Sequence, residues 1–179
     1  MDFGITAGAA DLLSDYGVEI IVFDSGVKGW FKKPSAILKA TEYADVVCWL
    51  DTDCQVMGDI SGIFDANIED RIGMVKDRPW TVRRPENGDW YNSGVVLTKR
   101  NRHLIAWARE CETNPKQGDQ EVLHYMTSPI TRCSTIEPLP HTYNSLRLDY
   151  IDKIGERNPL ILHHTGAKGN QRIREMIKC

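Results

Sequence analysis

The feature that most limits the fold of this chain is the rhythm of its short apolar runs. "VEIIVFD" at 18–24, "VVCWL" at 46–50, "IGMV" at 72–75, "SGVVLT" at 93–98 and "LILHH" at 160–164 are brief and mostly β-rich, so each reads as a strand. Helical signals lie between them. Thr6 can cap a helix over 7–16 that stops at Gly17, and Pro34 suits the first turn of a helix over 35–43. After Asn101, residues Leu104, Ile105, Trp107, Ala108 and Cys111 share one broad face. Another helix opens at Asp119 with Val122, Leu123 and Met126 inward. Residues 59–65 suggest a helical turn, 134–140 a short strand and turn, 78–90 a polar surface loop, and the basic tail from Gln171 a weak helix. Strands alternating with helices imply an α/β class with a mostly parallel sheet. With no repeat and no linker, residues 1–179 read as one domain.

Charge and cysteine usage narrow the function. The formal net charge is −3, whereas general nucleic-acid or membrane-surface binders are normally basic. Five cysteines, at 48, 54, 111, 133 and 179, include no C-x-x-C pair, which argues against a disulfide scaffold or structural zinc. Cys48 and Cys111 read as packing residues. The opening "MDFGITAGAADLL" has no basic leader region, and no run reaches membrane-spanning length. The expectation is a soluble, reduced, cytoplasmic chain with no nucleic-acid partner and no membrane span.

Four short motifs carry chemistry. "VVCWLDTD" ends an apolar strand on Asp51 and Asp53, at the strand end where ligands of open α/β sheets gather. In an extended chain two carboxylates one residue apart face the same side and can converge on one ion; alternatively the chain simply turns polar. "YNSGVV" places Asn92 and Ser93 at a strand start, or marks a turn. "GDQEVL" places Asp119 and Gln120 at a helix start, where Asp119 can also be an N-cap. "LHHTGAKG" ends a strand on His163 and His164, then a glycine-rich turn with Gly166 and Lys168. Successive strand residues point to opposite faces, so only one histidine of this pair can reach a given ion.

In this order and at these spacings, the four motifs resemble the retaining GT-A glycosyltransferases of the glycogenin and lipopolysaccharide galactosyltransferase type, family 8. The resemblance runs from "MDFGIT" to about Lys168. It implies a GT-A fold lacking its first nucleotide-binding strand, and transfer of a hexose from a nucleotide-diphosphate sugar, UDP-glucose or UDP-galactose. The acceptor is an unknown sugar, lipid or protein. By matching position it implies Asp51, Asp53 and His163 as ligands of a divalent metal on the diphosphate. Lys168 and the Gly166 turn then fall at the phosphates, Lys33 and Asn92 and Ser93 at the donor, and Asp119 and Gln120 near the anomeric carbon. The turn before Lys168 is one residue shorter than in the family.

The chemistry agrees with those residue types. Breaking the bond between C1 and a phosphate oxygen builds negative charge on the diphosphate, which a divalent cation stabilises. An imidazole beside carboxylates tilts the choice from Mg²⁺ towards Mn²⁺. Asp119 or the Gln120 carbonyl can face the positive sugar carbon. Two other readings compete. A D-x-D phosphatase expects Thr or Val where Gln55 stands and leaves "NSG" and "GDQ" unused. A non-catalytic nucleotide-sugar binder would not need Asp119 and Gln120. Without the first strand, the loop "GVKGWFKKP" offers Trp30 or Phe31 as a base-stacking surface, so discrimination among bases is expected to be weak.

Overall fold

The computed structural model describes residues 6–177 except 25, 28, 116 and 117. In chain order the elements are α1 (Ala7–Asp15), α2 (Lys32–Ala40), β1 (Val47–Leu50), β2 (Cys54–Val56), β3 (Ile72–Lys76), α3 (Arg78–Arg83), β4 (Tyr91–Thr98) and α4 (Arg102–Thr113). They continue with α5 (Asp119–Met126), α6 (Pro129–Arg132), β5 (Ile136–Leu139), β6 (Ser145–Leu146), α7 (Arg147–Ile151), β7 (Ile161–His163) and α8 (Gly166–Ile177). A four-stranded sheet runs β1-β4-β3-β5, and a three-stranded sheet runs β2-β7-β6.

Alternation along β4 shows how the layers stack. Val96 packs with Ile37 of α2, Leu104 and Trp107 of α4, and Val122 of α5. Its neighbours Val95 and Leu97 pack on the other face with Ile63, Leu139 and Ile161 of β7. Helices therefore cover one face of the larger sheet and the small sheet covers the other. On α4 the buried residues are Leu104, Trp107, Ala108 and Cys111, a single helical stripe, and the Asn101 side chain caps its start by accepting from the His103 and Leu104 N–H groups.

The pairing corrects the expected mostly parallel sheet. β3–β5 and β6–β7 are parallel, whereas β1–β4, β3–β4 and β2–β7 are antiparallel. The parallel reading rested on strands alternating with helices, as in crossover units. Here burial on both faces comes from helices above and a second sheet below, which needs no crossover helix between paired strands. The described part of 18–24 forms an isolated bridge at Val22, not a ladder, and Val22 is exposed. The expected loop at 78–90 contains α3, because Asp77 caps it by accepting from the Trp80 N–H and Pro79 fits its first turn. The expected turn around Gly166 and Lys168 is instead the first turn of α8. Gly169 lets that helix dock closely, since a Cβ there would meet the His164 carbonyl oxygen at 1.7 Å. The elements β2, β6, α6 and α7 had no sequence assignment, and "MDFGI" lies outside the described residues. Among the described residues no helix is long and apolar enough to cross a membrane, and Cys48, Cys54, Cys111 and Cys133 are free thiols.

Candidate active site

An irregularity in β4 opens the site. On β3 the partner of Met74 is Val96 but the partner of Val75 is Asn92, so Ser93, Gly94 and Val95 drop out of that ladder. Such bulges re-aim side chains next to functional sites. The released segment lines a cleft of about 420 Å³ beyond the end of β1. Lys33, Asp51, Asp53, Asn92 and Ser93 line it, as do Asp119, Gln120, His163 and Gly166. Lys168 does not; it is exposed on α8.

Lys33 organises one half of the cleft. Its ammonium reaches Asp51 at 2.9 Å and Asp119 at 3.3 Å, and donates to the carbonyl and hydroxyl of Ser93 at 3.2 Å each. Burial alone would lower the Lys33 pKa, but the Asp119 and Asp51 carboxylates raise it above its ordinary value. Burial pushes the Asp119 carboxyl up, with Lys33 opposing. The α5 cap position is Gly118, and no side chain caps it, so the Asp119 carboxylate is directed at Lys33 and is not a helix cap. The carbonyl of Asp119 is held by the Trp107 indole N–H at 2.8 Å. Next to it, Gln120 accepts from the Ser93 N–H at 3.1 Å and also reaches the Asp77 carboxylate.

The two acids of the D-x-D have different partners. After Leu50 the chain turns, with the Cys54 N–H donating to the Asp51 carbonyl at 2.9 Å, so it is not extended there as the convergence argument required. Asp51 faces Lys33 and accepts from the Trp49 indole N–H at 2.7 Å. Asp53 faces Nε2 of His163 at 3.1 Å. Burial by itself would raise the Asp53 carboxyl, but His163 beside it brings it below the usual value. His164 points to the other face of β7, its Nε2 on the Gln55 carbonyl at 3.2 Å. Asp53, Cys54 and His163 offer ligand atoms within 4.8 Å of one another. Nδ1 of His163 lies 3.0 Å from the Asn144 carbonyl oxygen, so Nδ1 carries a proton and Nε2 is the nitrogen left to the Asp53 carboxylate. That contact is a hydrogen bond when the ring is doubly protonated; in the neutral ring it sets two lone pairs face to face, which need a cation between them. An octahedral ion with bonds of about 2.1 Å sets neighbouring donors about 3.0 Å apart, so this pair fits a divalent metal.

Sequence reasoning did not single out Asp77, Cys54 or Asn144 for this site. Asp77 had a readable signal, an apolar strand ending on an acid, as at Asp51. Asn144, in "HTYNSL", had none.

No protein-family model matches the sequence, and no curated protein matches it. Solved structures do. The galactosyltransferase LgtC, solved with donor and acceptor sugar analogs, aligns with a TM-score of 0.59 at 18% identity over 80% of this chain. A glycosyltransferase involved in glycosylating the major capsid of PBCV-1 aligns at 0.61, with 15% identity, over 94% of this chain and 88% of its own. The fold is GT-A. Glycosyltransferase GlyE of Streptococcus pneumoniae TIGR4 shares it at 0.52, with 22% identity over 73% of this chain. The chain spans 65% of the length of LgtC and 37% of GlyE. In the GT-A frame the cleft lies beyond the end of β1, where Asp51 and Asp53 leave the sheet.

Proposed function

We propose that this chain is one metal-dependent glycosyltransferase domain that moves a hexose from a nucleotide-diphosphate sugar, UDP-glucose or UDP-galactose, to a sugar, lipid or protein acceptor with retention. The observation that carries the reading is the meeting of Lys33, Asp53, Asp119, Gln120 and His163, from four separate elements and turns, in one cleft of a GT-A fold.

Asp53 and His163, with Asp51 at the same rim, would hold Mn²⁺ or Mg²⁺. Bound there, the ion supplies positive charge for the leaving diphosphate. The remaining groups work on the sugar and phosphates. Gly166 begins α8 at the cleft, and the free N–H groups of a helix start suit a phosphate. Ser93 is held between Lys33 and Gln120, which fixes its hydroxyl for a sugar hydroxyl. Asp119 and the Gln120 amide face the reacting carbon, where a carboxylate stabilises positive charge. Trp30, 62% exposed at the cleft edge, is the base-stacking surface; Phe31 packs into the core instead.

A panel of nucleotide sugars with Mn²⁺, with and without chelator, scored for nucleotide release, tests the proposal. The expected result is chelator-sensitive release that Asp53→Asn abolishes while the fold survives. No release from any donor, with or without acceptor sugars, would overturn it.

A further inference from the structure

A chain of hydrogen bonds with one fixed direction leads into His163. It starts at the Gly94 backbone N–H, which can only donate, and does so to Asn92 Oδ1 at 2.9 Å. That places Asn92 Nδ2 towards the Asp77 carboxylate, which accepts at 3.3 Å. Asn92 therefore cannot flip without setting its carbonyl against a carboxylate and its amide against an N–H. Asn144 is fixed in turn, donating through Nδ2 to Asn92 Oδ1 at 2.9 Å. Its Oδ1 then accepts from His163 Nδ1–H at 3.0 Å. Asn144 is 0% exposed, so water cannot substitute for either partner. The ring is also seated sterically, since a Cβ on Gly94 would lie 2.0 Å from His163 Cε1.

We infer that Asn144 is a positioning residue of the metal site: it locks His163 in the Nδ1–H form and aims the Nε2 lone pair at the place it shares with Asp53. Neutral imidazole in water favours the opposite tautomer, with the proton on Nε2, which would block a ligand. The chain of amides reverses that preference before any ion arrives. Its anchor is the N-S-G segment, so Asn92 and Gly94 act on the ion site through Asn144 and the ring, separately from any contact with donor sugar. The inference rests on the metal reading above.

Two measurements test it. In the wild-type protein at about pH 8, long-range ¹H–¹⁵N spectra, assigned by the signal lost in His163→Ala, are expected to show His163 protonated on Nδ1. In Asn144→Leu the ring is expected to revert towards the Nε2–H form. Mn²⁺ affinity, read by electron paramagnetic resonance of the free ion, should fall about 10- to 100-fold in Asn144→Leu, as for other outer-shell partners of a ligating histidine. In a His163→Ala background the same substitution should change it less than about twofold, because the only route is through the ring. An equal loss in both backgrounds, or a wild-type ring protonated on Nε2, overturns the relay even if Mn²⁺ binds. A wild-type protein that takes up no Mn²⁺ overturns the metal reading and this assignment together. If Asn144→Leu fails to fold, the wild-type spectrum still decides.

Discussion

His124 and His163 are both buried beside the cleft, and their second nitrogens separate them. His124 on α5 stacks on Trp90 at 4.0 Å, and its Nε2 accepts from the Tyr91 N–H at 2.9 Å while Nδ1 faces the Gln120 carbonyl at 2.8 Å. Nε2 must be the bare nitrogen because a backbone N–H points at it, so Nδ1 carries the proton and both nitrogens are satisfied. His163 uses Nδ1 in the same way, but its Nε2 meets a carboxylate. Burial and the use of Nδ1 as donor are shared, and the difference is what Nε2 faces, a backbone N–H in His124 and a carboxylate in His163. A histidine satisfied by backbone on both sides holds structure, whereas one whose outer nitrogen faces a carboxylate suits the cation proposed above.

Substitutions at each histidine should separate the two properties. His163→Ala is expected to lower Mn²⁺ affinity about a thousandfold, or ~4 kcal/mol; His164→Ala should stay within threefold (~0.6 kcal/mol). The reverse ranking would break the contrast. His124→Ala should leave the ion site intact and act on stability alone. It leaves the Tyr91 N–H and the Gln120 carbonyl unpaired and opens a cavity, costing about 3 kcal/mol in denaturant unfolding, with Mn²⁺ affinity within about threefold.

Acid should also single out His124. Burial lowers its pKa to about 4 from 6.5, so its contribution to stability is complete above about pH 6.5 and is lost as pH falls towards 4. His141 acts in the same direction, also at about 4, while Asp149, raised to about 6 by burial, loses stability as pH rises towards that value. The difference between wild type and His124→Gln isolates the one ring. Wild type is expected to lose roughly 1–2 kcal/mol more between pH 6.5 and 5. Parallel stability profiles for the two proteins would show that His124 is not held neutral.

The smallest effect is expected at Cys54, which lies beside the ligand pair. Burial pushes its thiol pKa up, and its Sγ–H contacts the Gly94 carbonyl at 3.6 Å. Mn²⁺ and Mg²⁺ favour oxygen and imidazole donors over a soft thiolate, so Cys54→Val should change Mn²⁺ affinity less than about threefold. A tenfold loss would add Cys54 as a third donor and sharpen the site towards softer metals.

What could be read in the sequence depended on how local the cause was. Most of the α4 stripe was legible because it lies within a few turns of helix, although Ile105, read as part of it, and Met126, read as inward on α5, are exposed. The strand at β1 and the helix start at Asp119 were legible for the same reason, as was the opposition of His163 and His164, which is a property of any strand. The pairing direction of the sheet was not, because a second sheet can bury a strand face as well as a helix can. Asp51 and Asp53 were legible as a pair, but their separation was not, since it depends on a turn that gives Lys33 to one and His163 to the other. Asn144 was invisible because its importance comes from Asn92 and His163, which nothing in "HTYNSL" announces.

The register of β2 against β7 has a kinetic consequence. It places Cys54 opposite His163, and brings Gln55 and His164, 109 residues apart in sequence, into contact. No early, local folding event can assemble a site whose halves are this distant, because closing so long a loop must be compensated by contacts made elsewhere first. The larger sheet and α4 can form before this pairing, whereas the ion site arises only when the last strand arrives. Any ion held there acts as a latch on the final step of folding. A latch that closes after the transition state slows unfolding more than it speeds refolding.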